Sequence, residues 1–145
     1  MTAIVSEQPR PTPPVDLPHI PGYEIREILG QGGQGTVYRA RQKSLHRVVA
    51  IKVLSPKHAD SKFLKQRFLA EARLQSKLHH PNILQGIDVK EHEGLWYFVM
   101  EFVSGTDAQV LMTQRGALPE REVLKIAQQV AEALTYAHDH GIVHG

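Results

Sequence analysis

Cysteine is absent from the 145-residue sequence. A disulfide scaffold, a thiolate metal site and a cysteine nucleophile are therefore excluded, and we expect a reducing, cytoplasmic location. No apolar run approaches the roughly 18 residues that a membrane-spanning helix needs, so we expect no membrane segment. An excess of one charge is also absent, since 17 basic residues face 15 acidic ones. This balance offers no basic surface for a nucleic acid, and we expect no nucleic-acid partner.

Proline is scarce except at the amino terminus. Six of the nine prolines lie within the first 22 residues, where apolar periodicity is missing. Because proline removes backbone donors and disfavours regular structure, we expect residues 1–22 to be a disordered, Pro-rich leader. A ligand for an SH3-type domain is the less favoured alternative for this segment. The whole chain, with 41% hydrophobic residues, has the composition of one soluble globular unit.

Five segments after the leader have the β-branched and aromatic composition of strands. They are residues 23–29, 36–41, 47–54, 83–89 and 95–103. The first three follow one another across short turns, which predicts an antiparallel meander. The loop between the last two strands, residues 91–94, suits a hairpin.

Three helices are predicted as well. The first covers residues 63–78, and either Asp60 or Ser61 is its N-cap. A short helix follows Asp107 as far as about residue 113, and a long helix covers residues 120–140 before Gly141. The long helix carries an unbroken apolar stripe of Val123, Ile126, Ala127, Val130, Leu134 and Ala137.

Residues 30–37 contain a G-x-G-x-x-G-x-V pattern. Glycines let backbone amides approach phosphate oxygens because no Cβ intervenes. A plain hairpin turn is one alternative, and a dinucleotide-binding enzyme of Rossmann type is another. The Rossmann alternative is disfavoured, since it requires a helix directly after the glycines, where Thr36 and Val37 favour a strand. It also requires an acidic residue about 20 positions further on, and residues 48–56 contain none.

Two charged residues occupy apolar surroundings. Lys52 shares a strand face with Val48 and Ala50, and a lysine there needs an anion for its ammonium group. Glu71 lies on the predicted 63–78 helix, in line with the apolar residues Leu64, Phe68, Leu74 and Leu78. Either charge alone could reach water along its aliphatic stem. Together they indicate an ion pair between strand and helix, with Lys52 also reaching a phosphate.

These motifs, in this order, resemble the protein kinase superfamily, and in particular bacterial-type serine/threonine protein kinases. Gly30, Gly32, Gly35 and Val37 match the family's glycine-rich loop, and residues 49–52 match its V-A-I-K strand. Glu71 stands where the family has the glutamate of the helix called αC. Residues 80–83 look like the loop after that helix, and residues 100–103 look like the gatekeeper and hinge.

The resemblance implies an α+β fold. Residues 23–103 would form a kinase N-lobe and hinge, with a five-stranded antiparallel sheet and αC. Residues 104–145 would form the start of a helical C-lobe (αD and αE), which we expect to be incomplete.

ATP is the ligand that the resemblance implies. Backbone amides of the glycine loop would cover its phosphates, Lys52 would contact the α and β phosphates, and Glu71 would hold Lys52 in place as the second catalytic residue. Asp107 would accept from the ribose hydroxyls, although a helix N-cap is an equally good interpretation. The implied nucleotide-binding set is Gly30, Gly32, Gly33, Gly35, Val37, Ala50, Lys52, Met100, Glu101, Val103 and Asp107.

The adenine would lie at the hinge end of the same cleft. Val37 and Ala50 would sandwich its ring, next to the gatekeeper Met100. The backbone of Glu101 and Val103 would hydrogen-bond its edge.

The resemblance to the family's catalytic loop begins at His144, but Gly145 stands where the family has arginine. The catalytic aspartate and the metal ligands of the family would follow residue 145, so the Mg²⁺ expected for full-length relatives has no ligands here. We therefore expect the ATP-binding portion of a serine/threonine protein kinase that is inactive by itself. A protein substrate is expected only if a full C-lobe exists.

Two other interpretations remain open. The first is a stand-alone, pseudokinase-like module that binds a nucleotide, or a partner through the long helix. The second is a metal site at His138, His140 and His144, which is disfavoured because Gly141 is expected to end the helix between its ligands. We expect no metal site in this sequence.

Overall fold

The computed structural model describes residues 17–143. The expectations for residues 1–16, for His144 and for Gly145 lie outside the described residues. In chain order the elements are β1 (Tyr23–Gly32), β2 (Gly35–Gln42), β3 (Arg47–Leu54), α1 (Pro56–Ala59), α2 (Lys62–Lys77), β4 (Gly86–His92), β5 (Leu95–Glu101), α3 (Ala108–Arg115) and α4 (Glu120–Asp139).

The five strands form one antiparallel sheet in the order β1-β2-β3-β5-β4. This confirms the α+β prediction, including the meander of the first three strands. The β4–β5 turn is formed by Glu93 and Gly94, whose φ angles are both positive, at 50° and 80°. A pair of positive φ angles is typical of the tight hairpin turns whose twist matches that of the strands.

Each face of the sheet buries a separate apolar cluster. One cluster joins alternate residues of β2, β3 and β5 to Ile20, which is only 1% exposed. The amide of Tyr23 also donates to the Ile20 carbonyl at 3.1 Å. The packed part of the chain therefore begins before Tyr23, and the expected disordered leader does not extend to residue 22. A segment this short has no periodicity to reveal its burial in advance.

The second cluster packs α2 against the other face of the sheet. Phe68 and Ala72 of α2 contact this face, and Ser61 caps the helix by accepting from the Leu64 amide at 3.4 Å. Leu74, which was expected in the apolar stripe, is 42% exposed. The expectation was wrong because Leu74 lies six residues, and hence about 120° of helix rotation, from Phe68.

Several strand boundaries differ from the sequence prediction. β1 continues to Gly32 instead of residue 29, and β4 ends at His92 instead of residue 89. β4 begins at Gly86 instead of residue 83, because residues 80–83 form a turn in which the Ile83 amide donates to the His80 carbonyl at 3.0 Å. β5 ends at Glu101 instead of residue 103. Its pairing with β4 begins at Met100 and its pairing with β3 extends to Glu101, so neither ladder reaches residue 103.

The last two helices agree closely with expectation. Asp107 caps α3 by accepting from the Val110 amide at 2.8 Å, which confirms the N-cap interpretation. α4 ends just before Gly141, whose φ is 72°. Most of the apolar stripe of α4 is exposed, and Ala137 is its one buried residue. Among residues 17–143, neither α4 nor any other helix is apolar enough over a sufficient length to cross a membrane.

Candidate functional site

Lys52 and Glu71 form an ion pair between β3 and α2. The Lys52 Nζ lies 3.0 Å from the Glu71 Oε1, although the two residues are 19 positions apart in the chain. The Lys52 side chain is 18% exposed and the Glu71 side chain is 49% exposed, so the lysine is the more deeply placed partner. The ring of Phe68 lies 5.9 Å from Nζ and adds a weak cation–π contact. The ion pair predicted from the sequence is present.

The turn between β1 and β2 borders an open cavity next to this pair. Residues 30–35 line a space of about 430 Å³ together with Val37 and Lys52. We call this space the loop cavity. Gln34 reaches Lys52 from the loop, and its Oε1 accepts from Nζ at 3.1 Å. Lys52 therefore has two acceptors, a carboxylate and a neutral amide.

The loop tip is also attached to the segment that follows β3. The Ser55 amide donates to the Gln34 carbonyl at 3.1 Å, and His58 Nε2 lies 2.7 Å from the Gly33 carbonyl oxygen. Gly35 comes so close to β3 that a Cβ there would overlap the Val53 carbonyl. Sequence reasoning did not identify Gln34 or His58. His58 lies on the four-residue helix α1, which has no periodicity and was not predicted.

A second cavity lies behind the loop tip, between α1 and α2. It has a volume of about 280 Å³ and is lined by Gly33, Gln34, Leu54, His58, Leu64, Arg67, Phe68 and Glu71. We call it the rear cavity. Gly33 and Gln34 line both cavities.

Val37, Ala50 and Met100 lie together at the hinge end of the sheet. Ala50 and Met100 are buried cross-strand partners in the cluster that Val37 packs against. The Glu101 amide already donates to the Gln85 carbonyl at 3.0 Å, and the Glu101 carboxylate accepts from the Gln85 amide at 2.7 Å. Since the Glu101 amide is already bonded, only its carbonyl is left for the expected hydrogen bond to adenine. Val103 follows the end of β5, and its backbone has no hydrogen bond within residues 17–143.

His140 lies at the C-cap of α4, where its Nδ1 is 2.8 Å from the Tyr136 carbonyl. Its ring also stacks on Tyr136, with 4.2 Å between centroids. These contacts give His140 a role in ending the helix. Within the described part of the chain, no group of three potential metal ligands is brought together.

The groups whose pKa values the fold shifts lie on the face of the sheet that packs against Ile20. Burial raises the pKa of Tyr23 and Tyr97, and a hydrogen bond with Asp88 raises the pKa of Lys90. Tyr23 and Tyr97 pack edge to face on the side that contains Ile20. These groups are therefore separate from the cavities near Lys52.

Comparison with known proteins gives a consistent result. The family model described as "Protein kinase domain" matches residues 23–145. Serine/threonine-protein kinase PrkC of Bacillus subtilis is 38% identical over 122 residues, which cover 84% of this chain and 19% of that protein. Serine/threonine-protein kinase PknD of Mycobacterium tuberculosis is 35% identical over 84% of this chain and 18% of its own length. The chain thus spans about a fifth of these relatives.

Solved structures give the same picture. The kinase domain of Mycobacterium tuberculosis PknI superposes with a TM-score of 0.73 at 37% identity, and the match covers 86% of this chain and 50% of that one. Rad53 1–466 in complex with AMP-PNP superposes with a TM-score of 0.71 at 30% identity, covering 85% of this chain and 32% of that one.

Proposed function

Because the chain belongs to the protein kinase family, we propose that it is the ATP-binding portion of a serine/threonine protein kinase. Such an enzyme transfers phosphate from ATP to hydroxyl groups of proteins. In this proposal residues 23–103 act as the N-lobe and hinge, and residues 104–145 begin the C-lobe. The lack of cysteine is consistent with a cytoplasmic location. The near balance of charge favours a protein substrate over a nucleic acid.

The Lys52–Glu71 pair beside the glycine loop carries this proposal. An ammonium group has three donors, and Glu71 and Gln34 engage two of them here. A phosphate oxygen is a stronger partner for the ammonium than a neutral amide oxygen, because it adds the attraction between opposite charges to the hydrogen bond. ATP can therefore displace Gln34 from Lys52 while Glu71 stays in place and orients the ammonium.

The adenine ring would occupy the apolar space at the hinge end. Val37 and Ala50 offer apolar contacts there, and the buried Met100 belongs to the same apolar cluster. The carbonyl of Glu101 and the backbone of Val103 would bind the ring edge. Asp107 would keep its Oδ1 on the Val110 amide and use Oδ2 for a ribose hydroxyl.

Mg²⁺, which kinases use to neutralise phosphate charge, is not accommodated by these residues. Glu71 is the one carboxylate among the residues that line the loop cavity and the rear cavity, and Lys52 already binds it. The proposed role of the described residues is therefore to bind and orient the nucleotide. Phosphate transfer by the 145 residues alone is not part of the proposal.

A second candidate function is a nucleotide-binding or partner-binding, pseudokinase-like module. The exposed apolar stripe of α4 favours it, since such a stripe suits a protein interface. The two candidates differ in whether a longer chain containing these residues transfers phosphate. A phosphotransfer assay on that chain distinguishes them.

Calorimetric titration of the 145-residue chain with ATP and with adenosine tests the ATP site. We expect Lys52→Met to weaken ATP binding about tenfold, because a charge-assisted contact with phosphate is lost, and to leave adenosine binding nearly unchanged. Lys125→Met, on α4, is the matched control and should bind ATP normally. Equal ATP affinity in the Lys52→Met variant and the unaltered chain would refute the role of Lys52.

A further inference from the structure

His58 contacts the tip of the glycine loop from α1. Its Nε2 lies 2.7 Å from the Gly33 carbonyl oxygen, 25 residues away in the chain. A carbonyl oxygen can only accept, so Nε2 carries the proton and donates it. His58 thus makes a directional contact with one particular peptide group of the loop.

The orientation of that carbonyl determines the orientation of the next amide. All peptide bonds in the described residues are trans, and in a trans peptide the C=O and the following N–H point in opposite directions. The Gly33 carbonyl faces His58 and the rear cavity. The Gln34 N–H therefore points away from His58, and Gly33 and Gln34 also line the loop cavity together with Lys52.

The Gln34 N–H is available for a ligand. Within residues 17–143 the structure contains no acceptor for it, whereas the Gln34 carbonyl is bound by the Ser55 amide. A backbone N–H that faces a cavity lined by a lysine suits a phosphate oxygen.

Without a contact on its carbonyl, this peptide would be free to rotate. Gly33 has no side chain, and even a Cβ there would meet no atom within 4 Å. Glycine also tolerates a wide range of backbone angles. A rotated peptide would present the Gly33 oxygen to a phosphate, which would be repulsive.

We propose that His58 is a positioning residue of the glycine loop, which holds the Gly33 carbonyl and thereby keeps the Gln34 N–H directed at the nucleotide phosphates. This inference rests on the proposed ATP-binding function. It assigns a role to the short helix α1, none of whose residues lines the loop cavity. The contact acts on phosphate binding alone, so adenosine should be insensitive to it.

The test compares ATP with adenosine in four proteins: the unaltered 145-residue chain, His58→Ala, His58→Gln and Lys57→Ala. We expect His58→Ala to weaken ATP binding about three- to tenfold, the effect of one backbone hydrogen bond, with adenosine unchanged. His58→Gln keeps an N–H donor and should restore most of the ATP affinity. Lys57→Ala, an exposed neighbour on α1, should behave like the unaltered chain.

A second measurement does not depend on any variant. Hydrogen exchange of the Gln34 amide, followed by NMR in the unaltered chain, should slow with saturating ATP and not with adenosine. An amide that exchanges equally fast with both ligands would overturn the inference, even if His58→Ala failed to fold.

The remaining outcomes separate the inference from the function on which it rests. If the unaltered chain bound neither ligand, the proposed function would be wrong and the role of His58 would fall with it. If it bound both, but His58→Ala left the ratio of ATP to adenosine affinity unchanged, only the role of His58 would be wrong. A loss of ATP affinity in Lys57→Ala as large as in His58→Ala would also overturn it, because α1 would then act only through its folding.

Discussion

Lys52 is held by two acceptors that differ in charge. Glu71 provides a carboxylate at 3.0 Å and Gln34 provides an amide oxygen at 3.1 Å. We expect the carboxylate to stay paired when a phosphate approaches and the neutral amide, which lacks an attracting charge, to be displaced. At the scale of the residue, this difference is the basis of the proposed nucleotide site.

Glu71→Ala should clearly weaken ATP binding and should lower the free energy of unfolding only slightly. The Glu71 side chain is 49% exposed, so loss of the pair should cost about 1 kcal/mol of unfolding free energy or less. Lys52 would lose its fixed orientation, and we expect ATP binding to weaken about three- to tenfold. Calorimetric titration and urea unfolding of the same variant measure the two effects.

Glu122→Ala is the matched control for this variant. The Glu122 side chain is 45% exposed, close to the value for Glu71, and it forms an ion pair at 3.1 Å with Arg115, which is 50% exposed. Its loss should cost as little stability and should not affect ATP affinity. Unchanged ATP binding in Glu71→Ala would contradict the orienting role of Glu71.

Sequence reasoning identified Lys52 and Glu71 because a charge in apolar surroundings needs an explanation, and because the order of motifs matched a family. It did not identify Gln34 or His58. Gln34 contacts Lys52 and His58 contacts Gly33, and the fold sets the partners of these contacts. No pattern within the sequence indicated that residues 33 and 58 meet.

At the scale of the element, the approach of β2 to β3 is the tightest feature near the loop. Gly35 has a φ of 157° and lies against the Val53 carbonyl, with no space for a Cβ. Gly32 is its pairing partner across the β1–β2 turn, and a Cβ there would meet nothing within 4 Å. Gly32 therefore has space for a Cβ, whereas Gly35 does not.

Gly35→Ala should destabilise the chain by about 1–3 kcal/mol, since the strands must move apart or the backbone must strain. Gly32→Ala should change stability by less than about 1 kcal/mol. Urea unfolding of both variants measures the difference. Equal effects of the two substitutions would contradict the close approach at Gly35.

Most elements could be predicted from their composition. β3 has the predicted bounds of residues 47–54, because its apolar run is interrupted only by Lys52 and is followed by Ser55 and Pro56. The start of β4 was misplaced by three residues. Ile83 and Leu84 have the apolar character of strand residues, but Ile83 is the last residue of the turn at residues 80–83 and Leu84 follows that turn. Only the pairing with β5 determines where that strand begins.

At the scale of the whole molecule, the sheet and α2 form the packed part, and α4 contributes little to it. Among the large apolar residues of α4, Val123, Ile126, Val130 and Leu134 are all more than a third exposed. The described residues do not cover this face. The periodicity of α4 revealed the stripe, whereas its exposure depended on the rest of the fold.

Replacing Ile126 and Val130 together with glutamine should reduce binding of a hydrophobic dye by about half, since two of these four apolar side chains would be lost. Ile126 is 39% exposed and Val130 is 51% exposed, so the free energy of unfolding should fall by about 1 kcal/mol or less. Dye fluorescence and sedimentation velocity measure binding and self-association. Lys125→Gln is the control, and an unchanged dye signal in the double variant would contradict an accessible apolar face.

The central claim is that the chain binds ATP between its glycine loop and its hinge. Hydrogen exchange of the 145-residue chain, with and without ATP, tests it most directly. We predict that ATP slows exchange in residues 30–37 and at Val103, and that Lys52→Met removes most of the protection of the loop. Protection confined to α4, or no protection at saturating ATP, would contradict the claim.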